Sequence, residues 1–192
     1  MKIALLAVIS YLIGSIPFGF LLARLKGVDI RKQGSGNIGA TNVWRNMGLL
    51  SGLLVLVLDA LKGALCVWLG RYFAGGDVQL LTALAALAGH SWPVFLRFKG
   101  GKIIATALGV FLALDPLITA LGVLIWLFVV ALFRFVSLGS ILAMISLPVF
   151  MLVFSRPWEK VVFSVVVAGI AIFKHLPNIK RLLSGTETKI GR

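Results

Sequence analysis

The chain has one cysteine, Cys66, and two histidines, His90 and His175, among its 192 residues. A single thiol cannot close an intramolecular disulfide, and it cannot build a thiolate metal cluster. Neither histidine has a carboxylate close to it in sequence, so no metal and no other cofactor is expected. Other signatures are missing as well. There is no G-x-x-x-x-G-K-[ST] loop, which argues against nucleotide hydrolysis. There is no G-x-S-x-G elbow, Cys66 sits inside an apolar run, and five positions after His90 stands Phe95 instead of the acid of an H-x-x-x-x-D pair. Covalent catalysis through the protein is therefore not expected.

Acidic residues are scarce too, 6 against 19 Lys and Arg, for a net charge of +13. Such a charge can signal nucleic acid, but here the basic residues collect at the ends of apolar segments, and no nucleic-acid partner is expected. What abounds is hydrocarbon: 60% of residues are hydrophobic and the mean hydropathy is +1.06, far above an ordinary soluble domain. The expectation is an all-α integral membrane protein in which residues 1–192 form a single membrane-embedded domain. Seven candidate transmembrane helices follow from run length, at about 3–23, 47–70, 78–96, 103–114, 117–133, 138–154 and 159–173, the fourth short for a full crossing. The first run, Lys2 to about Leu25, is not followed by a small-residue cleavage site and a soluble chain, so it reads as a span and not a signal peptide. Cys66 reads as a small core residue within the second.

Cytoplasmic loops retain positive charge, so the loop charges set the orientation. One side collects fourteen of the nineteen cations, namely Arg24, Lys26, Arg31, Lys32, Arg45, Arg97, Lys99, Lys102, Arg134, Lys174, Lys180, Arg181, Lys189 and Arg192. The other has Lys2, Arg71, Arg156 and Lys160, diluted by Asp77, Asp115 and Glu159, while Lys62 lies within a span. The N-terminus is thus expected outside and the C-terminus in the cytoplasm.

Three polar stretches fall on that basic side. In the first, Ser35 to Asn42, glycines let backbone N–H groups turn toward one point, while Ser35, Asn37, Thr41 and Asn42 add short donors. A helix start follows it, and helix N-terminal N–H groups with Arg45 suit a phosphate, although a solvated basic loop is the plainer alternative. In the second, His90 to Lys102, the pair Gly100-Gly101 makes a tight turn with Lys99 and Lys102 on its shoulders. The Lys102 ammonium and nearby N–H groups could share one anion; lysines reaching to lipid head groups are the alternative. In the third, Lys174 to Lys189, His175 and Asn178 flank Pro177 among cations, beyond what a basic tail requires. Two further features accompany these. Asp59 and Lys62, three residues apart on one helical face, either neutralise each other at membrane depth or help orient a loop of the site. Ser137, Gly139 and Ser140, after Arg134, form a smaller polar patch in which the serines could also serve as helix caps.

A cage of ammonium, guanidinium, hydroxyl and amide donors suits substrates that carry phosphate themselves. It would act by positioning and charge stabilisation, with phosphate as a fitting leaving group. A small carrier or flippase for an anionic lipid is the main rival, given Asp59 and Lys62 at membrane depth. Against it, no internal repeat is seen and the unusual residues cluster on one face. A non-catalytic subunit recruiting an acidic partner is a third reading, weakened by the glycine-rich order of the stretches.

Together, SGNIGATN with Arg45, HSWPVFLRFKGGK with IIATALG, and HLPNIKRLLSGTE resemble the bacterial acyl-phosphate:glycerol-3-phosphate acyltransferase family, PlsY, across essentially the whole chain. The resemblance implies an enzyme of phospholipid biosynthesis in the bacterial cytoplasmic membrane, with its active site on the cytoplasmic side. It implies transfer of a fatty acyl group from acyl phosphate to the 1-hydroxyl of sn-glycerol 3-phosphate, giving lysophosphatidic acid and phosphate. Membrane lipid is the surrounding partner and no obligate protein partner is implied. By the same resemblance Ser35, Gly36, Asn37 and Arg45 hold one phosphate, and Lys102, His175 and Asn178 belong to a shared cage. Lys99, Gly100 and Gly101 contribute to substrate binding, and Ser140 is a weaker addition. The hydroxyl proton goes either to His175 or to a substrate phosphate; the residues leave both routes open. The acyl chain is expected between spans, where each buried methylene contributes roughly 0.8 kcal/mol. One departure stands out, since Ile103 follows Lys102 where the family commonly has a third glycine.

Overall fold

The computed structural model describes residues 1–76 and 78–190. Asp77 and Arg192, counted above among the loop charges, lie outside the described residues. Ten α-helices and no strands are found among the described residues. By internal packing the chain divides into two compact units, Met1–Leu114 and Asp115–Arg192.

The first unit opens with α1 (Lys2–Gly14) and α2 (Phe18–Leu25), which share one apolar run. Pro17 separates them: it lacks an N–H, and it disfavours helical backbone at Ile16. A 3-10 turn, Ile30–Lys32, and a short helix, α3 (Ala40–Met47), then lead to the 26-residue α4 (Leu49–Ala74). Helix α5 (Val78–Ser91) stops ahead of Pro93, a second 3-10 turn covers Val94–Leu96, and α6 (Ile104–Leu114) closes the unit. Gly63 of α4 lies against the Thr106 backbone and Gly109 of α6 against Ala60, so these two helices approach backbone to backbone. Cys66 is buried and donates its thiol toward Ser10 O at 3.7 Å. A small apolar core of Ala23, Ile30, Ile38, Val43, Val55 and Leu96 joins α2, the loop before α3, α3 itself, α4 and the second 3-10 turn.

The second unit comprises α7 (Pro116–Phe133), α8 (Val136–Val153), α9 (Trp158–Lys174) and α10 (Leu176–Leu183). Asp115 caps α7, accepting from Ile118 N at 3.2 Å, and pairs with Arg156 Nε at 2.7 Å. At His175 the chain bends by 59° between α9 and α10.

Leu50, Leu61, Trp68, Leu124, Phe128 and Val153 are exposed along the helices, a surface made for hydrocarbon. Among the described residues five stretches are long and apolar enough to cross a membrane: Lys2–Leu25, Leu49–Ala74, Val78–Leu96, Pro116–Phe133 and Val136–Val153. The bent pair of α9 and α10 adds a sixth only when the two are counted as one broken span, and α6 is apolar but shorter. This is the architecture of an integral membrane protein.

Candidate active site

The first polar stretch is a loop built around the side chain of Asn42. Its amide nitrogen lies 2.8 Å from Asn37 O, 3.0 Å from Gln33 O and 3.3 Å from Ile30 O. Its oxygen accepts from Ser35 N at 3.0 Å and from Asn46 Nδ2 at 3.1 Å. One buried carboxamide therefore gathers the loop backbone, as a peptide group would in regular structure. Asn37 turns its side-chain oxygen to Gly39 N at 2.9 Å, and Gly36 takes φ 70°, a conformation glycine adopts without strain. Ser35 and Arg45 are exposed, Ser35 on the loop and Arg45 in the last turn of α3. Upstream, Asp29 accepts from the Arg31 guanidinium at 2.8 and 2.9 Å, which holds its carboxyl well below the usual carboxylate range.

The second stretch wraps the end of α5. Phe98 N donates to Pro93 O at 2.9 Å, Lys99 N to Leu96 O at 3.1 Å, and Gly101 N to His90 O at 3.0 Å. Lys99 is exposed, Lys102 is half-buried, and Leu96 shares the small core with Ile38 and Val43. The loop around Asn42 and the Lys99–Lys102 turn thus stand on common packing. Beside them, Ile16, Pro17, Phe20, Leu21, Phe95 and Leu96 line an apolar groove of about 310 Å³.

In the second unit His175 occupies the bend between α9 and α10. Its Nδ1 lies 2.8 Å from Ala171 O. A carbonyl only accepts, so the neutral ring carries its proton on Nδ1 and its lone pair on Nε2. Asn178 donates its amide to Glu187 Oε1 at 2.8 Å, Ser137 donates to the same oxygen at 2.9 Å, and Arg181 Nε meets Oε2 at 2.7 Å. Burial would raise the Glu187 carboxyl, but these donors outweigh it and hold it below its ordinary value. Ser140 accepts from Trp126 Nε1 at 3.3 Å. Neither serine caps α8, whose N-cap is Phe135; both bond across to other parts of their unit.

The glycerol-3-phosphate acyltransferase family model matches residues 4–185, which takes in the first two stretches and the third as far as Gly185. A glycerol-3-phosphate acyltransferase from Desulforamulus reducens is 56% identical over 185 residues, 95% of this chain and 92% of the relative. Among solved structures, an integral membrane glycerol 3-phosphate acyltransferase, PlsY, in its glycerol 3-phosphate form superposes with a TM-score of 0.96 at 44% identity, covering 100% of this chain and 96% of that one. Its lysophosphatidic acid form superposes at 0.93 with 43% identity, over 100% and 96% of the two chains. The chain belongs to the glycerol-3-phosphate acyltransferase family, PlsY.

Ile103 can now be placed within a PlsY chain. It takes φ 62°, in the left-handed region that favours glycine, while its side chain is fully buried. A β-branched residue there carries strain of about 1–3 kcal/mol. Its carbonyl accepts from Ala107 N at 2.7 Å and so starts α6. The glycine that the resemblance implies at this position would take such a backbone at a helix entry without strain, and burial of the isoleucine offsets the strain here. For two residues the organising role was not legible in the sequence. Asn42 is indistinguishable in pattern from Asn37, and Glu187 gave only a weak signal, as a lone acid in a basic tail.

Proposed function

We propose that this protein transfers a fatty acyl group from acyl phosphate to the 1-hydroxyl of sn-glycerol 3-phosphate, releasing lysophosphatidic acid and inorganic phosphate. The observation that carries this is the match, over all three polar stretches, to a PlsY enzyme solved in a glycerol 3-phosphate form and a lysophosphatidic acid form. Those two molecules are an acceptor and an acylated product.

In this reading the acceptor hydroxyl oxygen attacks the acyl carbonyl carbon, the bond from that carbon to the phosphate oxygen breaks, and phosphate leaves. No acyl-enzyme forms. Ser35, Gly36, Asn37 and Arg45 hold one substrate phosphate, and the Lys99–Lys102 turn, with Lys102 at its end, stabilises developing negative charge. His175 receives the hydroxyl proton; the Nδ1–H tautomer favours this by leaving the lone pair on Nε2. Asn178, steadied by Glu187, and Ser140 supply further polar groups. The apolar groove suits an alkyl chain open to lipid. The residues act as one domain in the bacterial cytoplasmic membrane, with seven crossings, the N-terminus outside, and the C-terminus and active site facing the cytoplasm. Neither a cofactor nor a protein partner is needed.

The test is to supply purified protein with palmitoyl phosphate and glycerol 3-phosphate and to follow phosphate. Release that depends on the acceptor is expected, and its absence would sink the reading. Substituting acyl-CoA or acyl carrier protein for palmitoyl phosphate tests the donor, and no transfer from either is expected.

A further inference from the structure

Beneath the Lys99–Lys102 turn lies a charged node to which the roles above give no part. Asp59 and Lys62 pair at 2.7 Å with side chains 3% exposed. Lys62 Nζ also donates to Ile16 O at 2.8 Å, at the Pro17 break in the first apolar run, and lies 5.5 Å from the Phe18 ring centroid. On its other side the pair faces a histidine. Asp59 Oδ1 is 3.7 Å from His90 Nδ1, too long for a hydrogen bond but close enough for the carboxylate to favour one orientation of the buried ring.

His90 meets the turn in two ways. Its carbonyl accepts from Gly101 N, and its ring fills the space a side chain at Gly101 would need: a Cβ there would collide with Nε2, Cε1 and Cδ2. A Cβ at Gly100 would collide with the His90 and Ser91 carbonyls and with Pro93. The two glycines let the backbone lie directly on the end of α5. At the other side of the node, Gly19 of α2 abuts the Ile38 carbonyl, within the loop that Asn42 gathers.

We propose that His90 and Asp59 are positioning residues: the His90 ring is the floor on which Gly100-Gly101 rests, Asp59 orients that ring, and Lys62 ties the floor to the break that carries α2. The inference rests on the acyl-transfer reading above. A buried pair of ions is a poor source of stability but a good device for fixing one arrangement among several. Here the arrangement fixed is the height of the Gly101 N–H and of Lys102 above α5.

The test measures kcat and KM for both substrates, with thermal midpoints in detergent, for His90→Ala, His90→Gln, Gly101→Ala and the His90→Ala/Gly101→Ala double variant. His90→Ala is expected to shift the same kinetic parameter as Gly101→Ala, in the same direction, by about tenfold to 100-fold, the loss that a misplacement near ~1 Å produces. The double variant is expected to be no worse than the more damaged single one, because truncating the ring makes room for the added methyl. His90→Gln, which keeps a planar polar group of similar reach, is expected to recover most of the loss. Losses that multiply in the double variant overturn the proposal. So does a His90→Ala protein with wild-type kinetics and only a lowered midpoint. Should His90→Ala fail to fold, His90→Asn takes its place in the same cycle. A wild-type protein without acceptor-dependent phosphate release strikes instead at the acyl-transfer reading.

Discussion

His175 combines a tautomer fixed by one carbonyl with a place at a bend, two residues ahead of Pro177. Ala171 O holds the Nδ1–H, so the ring cannot turn without giving up a buried hydrogen bond. Replacing His175 with Gln keeps an amide donor but removes the titratable lone pair. Turnover with saturating acceptor is expected to fall by about 10²–10⁴-fold, the usual contribution of a general base. Near-normal turnover would move the proton to a substrate phosphate and leave His175 a donor only. The sequence singled out this residue as one of two histidines, but it could not separate Asn37 from Asn42. Both are asparagines in one polar run, and only the fold shows that Asn42 turns inward while Asn37 shapes the entry to α3. Ile103 was legible as a substitution, but its left-handed backbone was not, because a dihedral angle leaves no mark on composition.

At the scale of elements, run length located the apolar helices to within a few residues, and five of the seven expected spans are long and apolar enough to cross, since hydrocarbon thickness acts directly on apolar length. It said nothing of the break between α1 and α2, whose two halves are equally apolar, and α10 lay outside the run because its face mixes Lys180 and Arg181 with leucines. The segment after α10 is held by Glu187, whose side chain is 5% exposed. A carboxylate with a depressed value stabilises the fold fully above its unfolded pKa of about 4.3 and loses that contribution as pH falls through the lower folded value. Glu187→Gln is expected to lower stability by about 1.5–3 kcal/mol at neutral pH through weakened charge-assisted bonds. The gap between wild type and variant in thermal midpoint should close as pH drops below about 4. A gap that stays constant with pH would show that the charge contributes nothing.

For the whole molecule, the proposed orientation rests on charge asymmetry, and the lone buried cysteine makes it testable. In a Cys66→Ser background, Lys2→Cys is expected to react with an impermeant thiol reagent on intact spheroplasts, and Ser184→Cys only after permeabilisation. The reverse pattern would invert the topology. Glu187 has one more consequence, which concerns the order of manufacture. It leaves the ribosome after every span, yet it secures Ser137, Asn178 and Arg181. Synthesis that stalls earlier would deliver to the membrane a set of helices with its last polar fastening missing, and α10 untied from the start of α8.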